Sequence, residues 1–193
     1  MKLIPTGSQT VGPYFAIGLD RPEWSDLTRG GAAGDKIRIE GRVLDGDGAP
    51  VNDALVEIWQ ANAAGKYNHP DDAQDKKIDP KFIGFGRAAT DREGRYRFTT
   101  IRPGPVPGRG NTLQAPHINV ALFARGVLKQ MVTRIYFADQ AAANDADPVL
   151  GKIADAKSRQ TLLAKPGKGK DGITTYQFDV ILQGKGETAF FEI

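Results

Sequence analysis

Apolar and polar residues alternate with a period of two over several short stretches of this chain, the pattern of strands whose side chains point to opposite faces. Ile37, Ile39, Gly41 and Val43 alternate with Lys36, Arg38, Glu40 and Arg42, giving one dry face and one wet. Residues 54–60 (ALVEIWQ) set Val56 and Ile58 opposite Leu55, Glu57 and Trp59, and residues 95–101 set Tyr96, Phe98 and Thr100 opposite Arg95, Arg97 and Thr99. Further strands are predicted over 117–123, 131–137, 175–182 and 188–193. Asp45-Gly46-Asp47-Gly48 and Asp91-Arg92-Glu93-Gly94 read as the turns of two hairpins. One short helix is predicted, with Asp147 as its N-cap, Pro148 at its first position and an end near Ala156. Short strands, regular turn signals and one helix add up to an antiparallel β-sandwich.

Two stretches lie outside this pattern. Residues 1–34 hold no sustained period and read as an N-terminal arm, of a kind usually disordered or packed on a neighbouring chain, leaving 35–193 as a single sandwich domain, which suits a length of 193 residues. Within the arm, Pro13 fixes its own φ and pushes Gly12 toward extended backbone, so that Thr10 to Tyr14 can present backbone groups in a set shape. Residues 65–80 form a polar loop longer than a usual connection, either functional or an insertion, and Pro103, Pro105, Pro107 and Pro116 bracket a second loop.

Composition narrows the chemistry. With no Cys there is neither a disulfide framework nor a thiolate ligand, and with no apolar leader and no long apolar run the chain reads as cytoplasmic and not membrane-bound. A net charge of +3 spread over scattered Lys and Arg, without an aromatic-interleaved basic motif, argues against nucleic acid as a partner. The Asp-Gly-Asp-Gly turn lacks the distal Glu of a calcium loop, and no hydrolase elbow, zinc-peptidase pair or dinucleotide fingerprint occurs.

The chain has two His. His69 lies in the 65–80 loop beside Pro70, where a His is ordinarily solvated. His117 shares a strand face with Asn119; two imidazoles at that spacing would make half of a metal site, but an amide is a poor ligand for a transition metal. Arg134, inside the apolar run MVTRIYF, needs either solvent or a partner. On these residues alone the chain is a weak candidate for an enzyme.

The segments Gly41-Arg42-Val43-Leu44-Asp45, Val56-Glu57-Ile58-Trp59-Gln60-Ala61, Thr90 to Tyr96, Thr100-Ile101-Arg102-Pro103-Gly104 and Pro116-His117-Ile118-Asn119 resemble, in order, the intradiol ring-cleaving dioxygenases. SQTVGPYF, APHINVALFARG, TRIYFAD and QGKGETAFFEI are similar in particular to the α chain of the two-chain members of that family. The resemblance implies a transthyretin-like sandwich. It also implies a ferric ion held by two Tyr and two His in the catalytic chains. Here Val106 stands for one Tyr, Asn119 for one His, and no Tyr stands near Gln74 or Asp75 for the other. The family pattern thus places Fe(III) on a homologous β chain, in a hetero-oligomer of αβ units, with none on this one. The implied reaction is O₂-dependent cleavage of a carboxylated catechol, protocatechuate, to 3-carboxy-cis,cis-muconate. This chain would help to shape the substrate pocket through Thr10, Gly12, Pro13 and Tyr14, with Arg134 matching the carboxylate as a planar guanidinium does. Two alternatives stand beside it: a subunit acting on a related anionic catechol, and a non-catalytic β-sandwich binding module.

Overall fold

The structure is a computed structural model that describes residues 4–169 and 171–192. Its longest strand, β1 (Lys36–Leu44), buries Ile37, Ile39, Gly41 and Val43, the dry face of the alternation. Two further strands flank it: β4 (Arg95–Ile101) runs antiparallel from Lys36↔Ile101 to Arg42↔Arg95, and β10 (Thr174–Gln177) runs parallel from Ile37↔Thr174. The short β11 (Val180–Ile181) continues the parallel pairing at Val43↔Val180. Gly41 is needed at its place, since a Cβ there would overlap the Phe178 carbonyl oxygen, which also accepts a 2.6 Å hydrogen bond from the buried Tyr96 hydroxyl.

The second layer is antiparallel, in the order β3 (Phe85–Ala89), β2 (Leu55–Trp59), β7 (His117–Phe123), β8 (Met131–Phe137). Between the layers lie Ile39, Val43, Val56, Ile58, Phe98, Ile118, Val120, Leu122 and Ile135, all at most 2% exposed. Burial of each such side chain contributes about 1.5–3 kcal/mol, which sets the register of every strand that carries one. One strand joins the layers: β9 (Leu163–Lys168) pairs parallel with β8 at Tyr136↔Leu163 and then antiparallel with β10 at Lys165↔Gln177. A two-residue pair, β5 (Val106–Pro107) and β6 (Leu113–Gln114), closes the Pro-rich loop into a flap.

Several expectations need correction. The Asp45–Gly48 and Asp91–Gly94 turns exist, but neither joins two strands of one sheet: β1 and β4 pair with each other, while β2 and β3 pair in the opposite layer. The turn chemistry is local, whereas the partner of each strand is chosen by which apolar face must be covered. The expected sandwich stands, largely antiparallel, with parallel pairs at β1·β10, β1·β11 and β8·β9. The stretch 175–182 is interrupted at Phe178, and 188–193 contributes only a bridge between Val132 and Phe191, its last residue lying outside the described ones.

Asp147 does cap a turn, accepting from Val149 N (2.8 Å) and Leu150 N (2.9 Å), but only a 3-10 turn over Leu150–Lys152 follows. Further short helices lie at Pro13–Leu19 (α1), Ala141–Asp145 (α2) and Ala156–Gln160 (α3). Within residues 1–34, Trp24 packs edge-on to Phe85, and Leu27 is buried in the main core with its N–H on Thr99 O. What stays outside the sandwich ends near Asp20.

Candidate functional site

The segment from Lys66 to Gln74, the β5–β6 flap and one end of β7 and β8 line an open cavity of about 490 Å³. Gly65, at φ +76°, lets the first loop turn tightly against Pro105, whose carbonyl oxygen a Cβ would overlap. The loop is then held from inside. The buried Lys66 ammonium donates to the carbonyls of Asp72 and Gln74 and lies 3.3 Å from the Asp72 carboxylate. Burial raises the Asp72 carboxyl, but hydrogen bonds from the Tyr67 and Gln74 N–H groups, the Gln74 amide and Lys66 outweigh it and leave it below the ordinary carboxylate range. The indole of Trp59 on β2 and the ring of Tyr67 stack at 5.8 Å to form one wall.

His117 faces this cavity from β7. Its Nδ1–H donates to Ala115 O at 2.8 Å, which fixes the tautomer and makes Nε2 the acceptor nitrogen. Burial, and then the charge of Arg134, hold its pKa down at about 4, so the ring is neutral near pH 7. Arg134, half-buried on β8, donates to Gln114 Oε1 at 2.7 Å and lies 3.3 Å from the Tyr136 hydroxyl, which in turn donates to Asp147 Oδ1. Among the described residues Arg134 forms no salt bridge; its guanidinium also lies over the Phe191 ring, 5.9 Å from the centroid.

The residues in this cavity do not fit a ferric ion. Where a second imidazole would stand, the Asn119 amide is tied to Trp59 O (3.3 Å) and the Tyr67 hydroxyl (3.2 Å). Val106 offers no donor atom, and the Gln74 amide nitrogen bonds Gly65 O and Asp72. The neighbouring phenols stay protonated, since burial pushes Tyr136 up to about 12 and raises Tyr67 as well. A guanidinium beside the one imidazole adds repulsion. Among the described residues no cluster of three or more His, Cys, Asp or Glu could hold a metal. His69, exposed in the loop, lies 3.7 Å from Asp71.

The arm is at the other end of β7. Thr10 donates to Ala124 O at 3.4 Å, Phe15 packs on Phe123 with ring centroids 5.1 Å apart, and Gly12 is extended (φ −86°, ψ 171°) before Pro13 opens α1. Tyr14 and Ile17 point away from the chain, 83% and 72% exposed. Arg134 pairs across from Asn119, five residues before Ala124, so at about 3.4 Å per residue it lies roughly 17 Å along the strand from the arm. The structure thus brings Thr10, Gly12, Pro13 and Tyr14 together but does not bring Arg134 to them. Arg125, next in sequence to Ala124, is exposed and 3.2 Å from Asp53.

The family model described as dioxygenase matches residues 11–184, and the chain belongs to that family. It is 42% identical over 204 residues to the protocatechuate 3,4-dioxygenase alpha chain of Pseudomonas putida, covering 100% of this chain and 98% of the relative. It is 38% identical over 189 residues to the protocatechuate 3,4-dioxygenase beta chain of Burkholderia cepacia, covering 94% of this chain and 77% of the relative. The intradiol ring-cleavage dioxygenase of Tetranychus urticae shares the fold, with a TM-score of 0.59 at 21% identity over 92% of this chain and 94% of that one. Among the described residues no helix is long and apolar enough to cross a membrane.

Proposed function

We propose that this chain is the α subunit of a cytoplasmic protocatechuate 3,4-dioxygenase and binds no iron itself. It works in a hetero-oligomer of αβ units with a homologous β chain that holds Fe(III). The observation that carries this reading is the donor set of the cavity: in a chain 42% identical to an alpha chain along its whole length, His117 is the one ligand-type side chain left where the family places four. The partner's ferric centre supplies the O₂-dependent ring opening that gives 3-carboxy-cis,cis-muconate. This chain's part is positioning.

The arm packs on the partner and forms one edge of the pocket with Thr10, the extended backbone at Gly12, Pro13 and the outward Tyr14. Protocatechuate is an anion at pH 7, and Arg125, beside the arm and largely solvent-exposed, is the guanidinium placed to attract its carboxylate. Arg134, which the family resemblance also assigns to the carboxylate, lines the cavity on this chain.

Co-expression tests the assignment. Purified alone, the chain is expected to carry no stoichiometric iron and no visible Fe(III)–tyrosinate absorption, and with a β chain to give a coloured complex that cleaves protocatechuate. A coloured, active chain on its own would overturn the reading.

A further inference from the structure

Just before β1, residues 33–34, 62–64 and 77–80 line an open cleft of about 350 Å³ that shares no residue with the cavity under the flap. Its floor is apolar, made by Ala33, Gly34, Ala63, Ala64, Ile78 and Pro80, and Ile78 is left 43% exposed there. Gly34, at φ +129°, keeps the floor open, since a Cβ would lie 2.9 Å from the Ala63 Cβ. The polar side chains on the cleft are spent on their own chain. Asn62 accepts from Ala64 N and Lys66 N, both at 3.0 Å, and donates to Lys77 O at 3.2 Å. Asp79 accepts from Ala33 N on one oxygen and from Lys81 N on the other, both at 2.9 Å. Lys77 differs: Asn62 anchors its carbonyl, while its ammonium, exposed at the rim, has no ion-paired or hydrogen-bonded partner among the described residues. Lys76, Lys77 and Lys81 outnumber Asp75 and Asp79 along this loop, so the rim is cationic.

We infer that this cleft binds a medium-chain aliphatic monocarboxylate, its chain along the Ala63–Ile78 floor and its carboxylate on Lys77. The body is aliphatic because no aromatic residue lines the cleft, so a planar ring finds no stacking surface, and because Asn62 and Asp79 have no free group to orient a polar one. The charge sits at one end because the cations stand at the rim and the floor carries none. The volume is at the small end of ligand clefts, about 300–1,000 Å³, and suits a chain of about eight carbons. The cleft lies wholly within this chain, so the inference does not rest on the αβ assignment.

The test is calorimetry with octanoate on the full chain, purified with its partner where one co-purifies. One octanoate per copy of this chain is expected, at a Kd of about 1 mM or tighter. Butanoate, which is four methylenes shorter, should bind at least about tenfold more weakly, each buried methylene being worth roughly fourfold. Lys77→Met keeps the length of the side chain and removes its charge, and should weaken octanoate about three- to fivefold, the range of an exposed ion pair. Ala64→Phe fills the floor from an exposed position and should weaken it at least about tenfold. Octyltrimethylammonium, the same chain with the opposite head charge, should bind more weakly than octanoate. Circular dichroism checks that each variant is folded. No saturable binding, equal octanoate affinity in the wild type and both folded variants, or octyltrimethylammonium binding as tightly as octanoate would overturn the inference. Sedimentation of the chain with phosphatidylglycerol vesicles in the absence of octanoate binding would also overturn it, by making the patch a membrane contact. None of these readouts needs the partner or its iron, so failure of the αβ assignment reads out separately.

Discussion

The two ends of β7 show what a fold keeps and what it gives up. At the first end, His117 and Asn119 still share a face, yet each is tied to groups of its own chain: His117 to Ala115 O, Asn119 to Trp59 O and the Tyr67 hydroxyl. At the other, Thr10 reaches Ala124 O while Tyr14, Ile17 and Arg125 stay in solvent. Between them Ile118, Val120 and Leu122 are buried alike. The core face of the strand is buried along its length, while its ends differ: one is bonded to groups of its own chain, and the other carries exposed groups that, on the proposed assignment, face a partner.

The largest effect expected at the satisfied end is on acid stability. The His117 pKa falls from 6.5 to about 4 on folding, so between those values the unfolded chain binds the extra proton. The contribution is complete above pH 6.5 and is lost as pH falls toward 4, amounting to about 3 kcal/mol. Urea midpoints of wild type and His117→Gln, compared at pH 7 and pH 4.5, check this: the wild type should lose more stability than the variant. Parallel losses would mean that His117 is not the group held neutral.

At the open end, deletion of residues 1–19 removes the arm but none of the buried core residues, the first of which is Leu27. Activity of the αβ complex on protocatechuate is expected to fall roughly 100-fold, the order of loss when a positioning element goes. Full activity from the truncated chain would remove the arm from the site. Arg125→Ala is narrower: kcat/KM for protocatechuate should fall about tenfold, the value of one charge-assisted hydrogen bond, with little change for catechol, which has no carboxylate. An equal loss on both would make Arg125 a partner of Asp53 and nothing more. A tenfold loss confined to Arg134→Ala would return the carboxylate to the cation expected from the sequence.

How much of this was legible in the sequence follows from which contacts are local. The alternation of Ile37, Ile39 and Val43 with charged residues named β1 and its buried face, and the spacing of His117 and Asn119 placed both on one face. Asp45–Gly48 and Asp91–Gly94 were readable as turns, because Asp-Gly chemistry is a property of a few adjacent residues. That they cross between layers was not, since a turn does not encode what its flanking strands will pair with. The missing ligands were visible as Val106 and Asn119, but the Asn119–Tyr67 bond spans 52 residues and the Thr10–Ala124 bond 114. No period reports such contacts.

The smallest effect separates the two ends most cleanly. Asn119 makes its two hydrogen bonds to Trp59 O and Tyr67, at 3.3 and 3.2 Å, both long for N–H donors, and neither partner belongs to the arm. Asn119→Ala should therefore cost about 1 kcal/mol of stability, the usual net value of a neutral hydrogen bond, read as a small drop in melting temperature. Because the amide serves only the satisfied end, kcat/KM of the complex on protocatechuate should stay within about twofold of wild type, well short of the tenfold that one lost charge-assisted bond would give. A tenfold loss of activity with unchanged stability would show that the two ends of β7 are coupled through the strand, and that the cavity acts on the partner's site as well as on this chain.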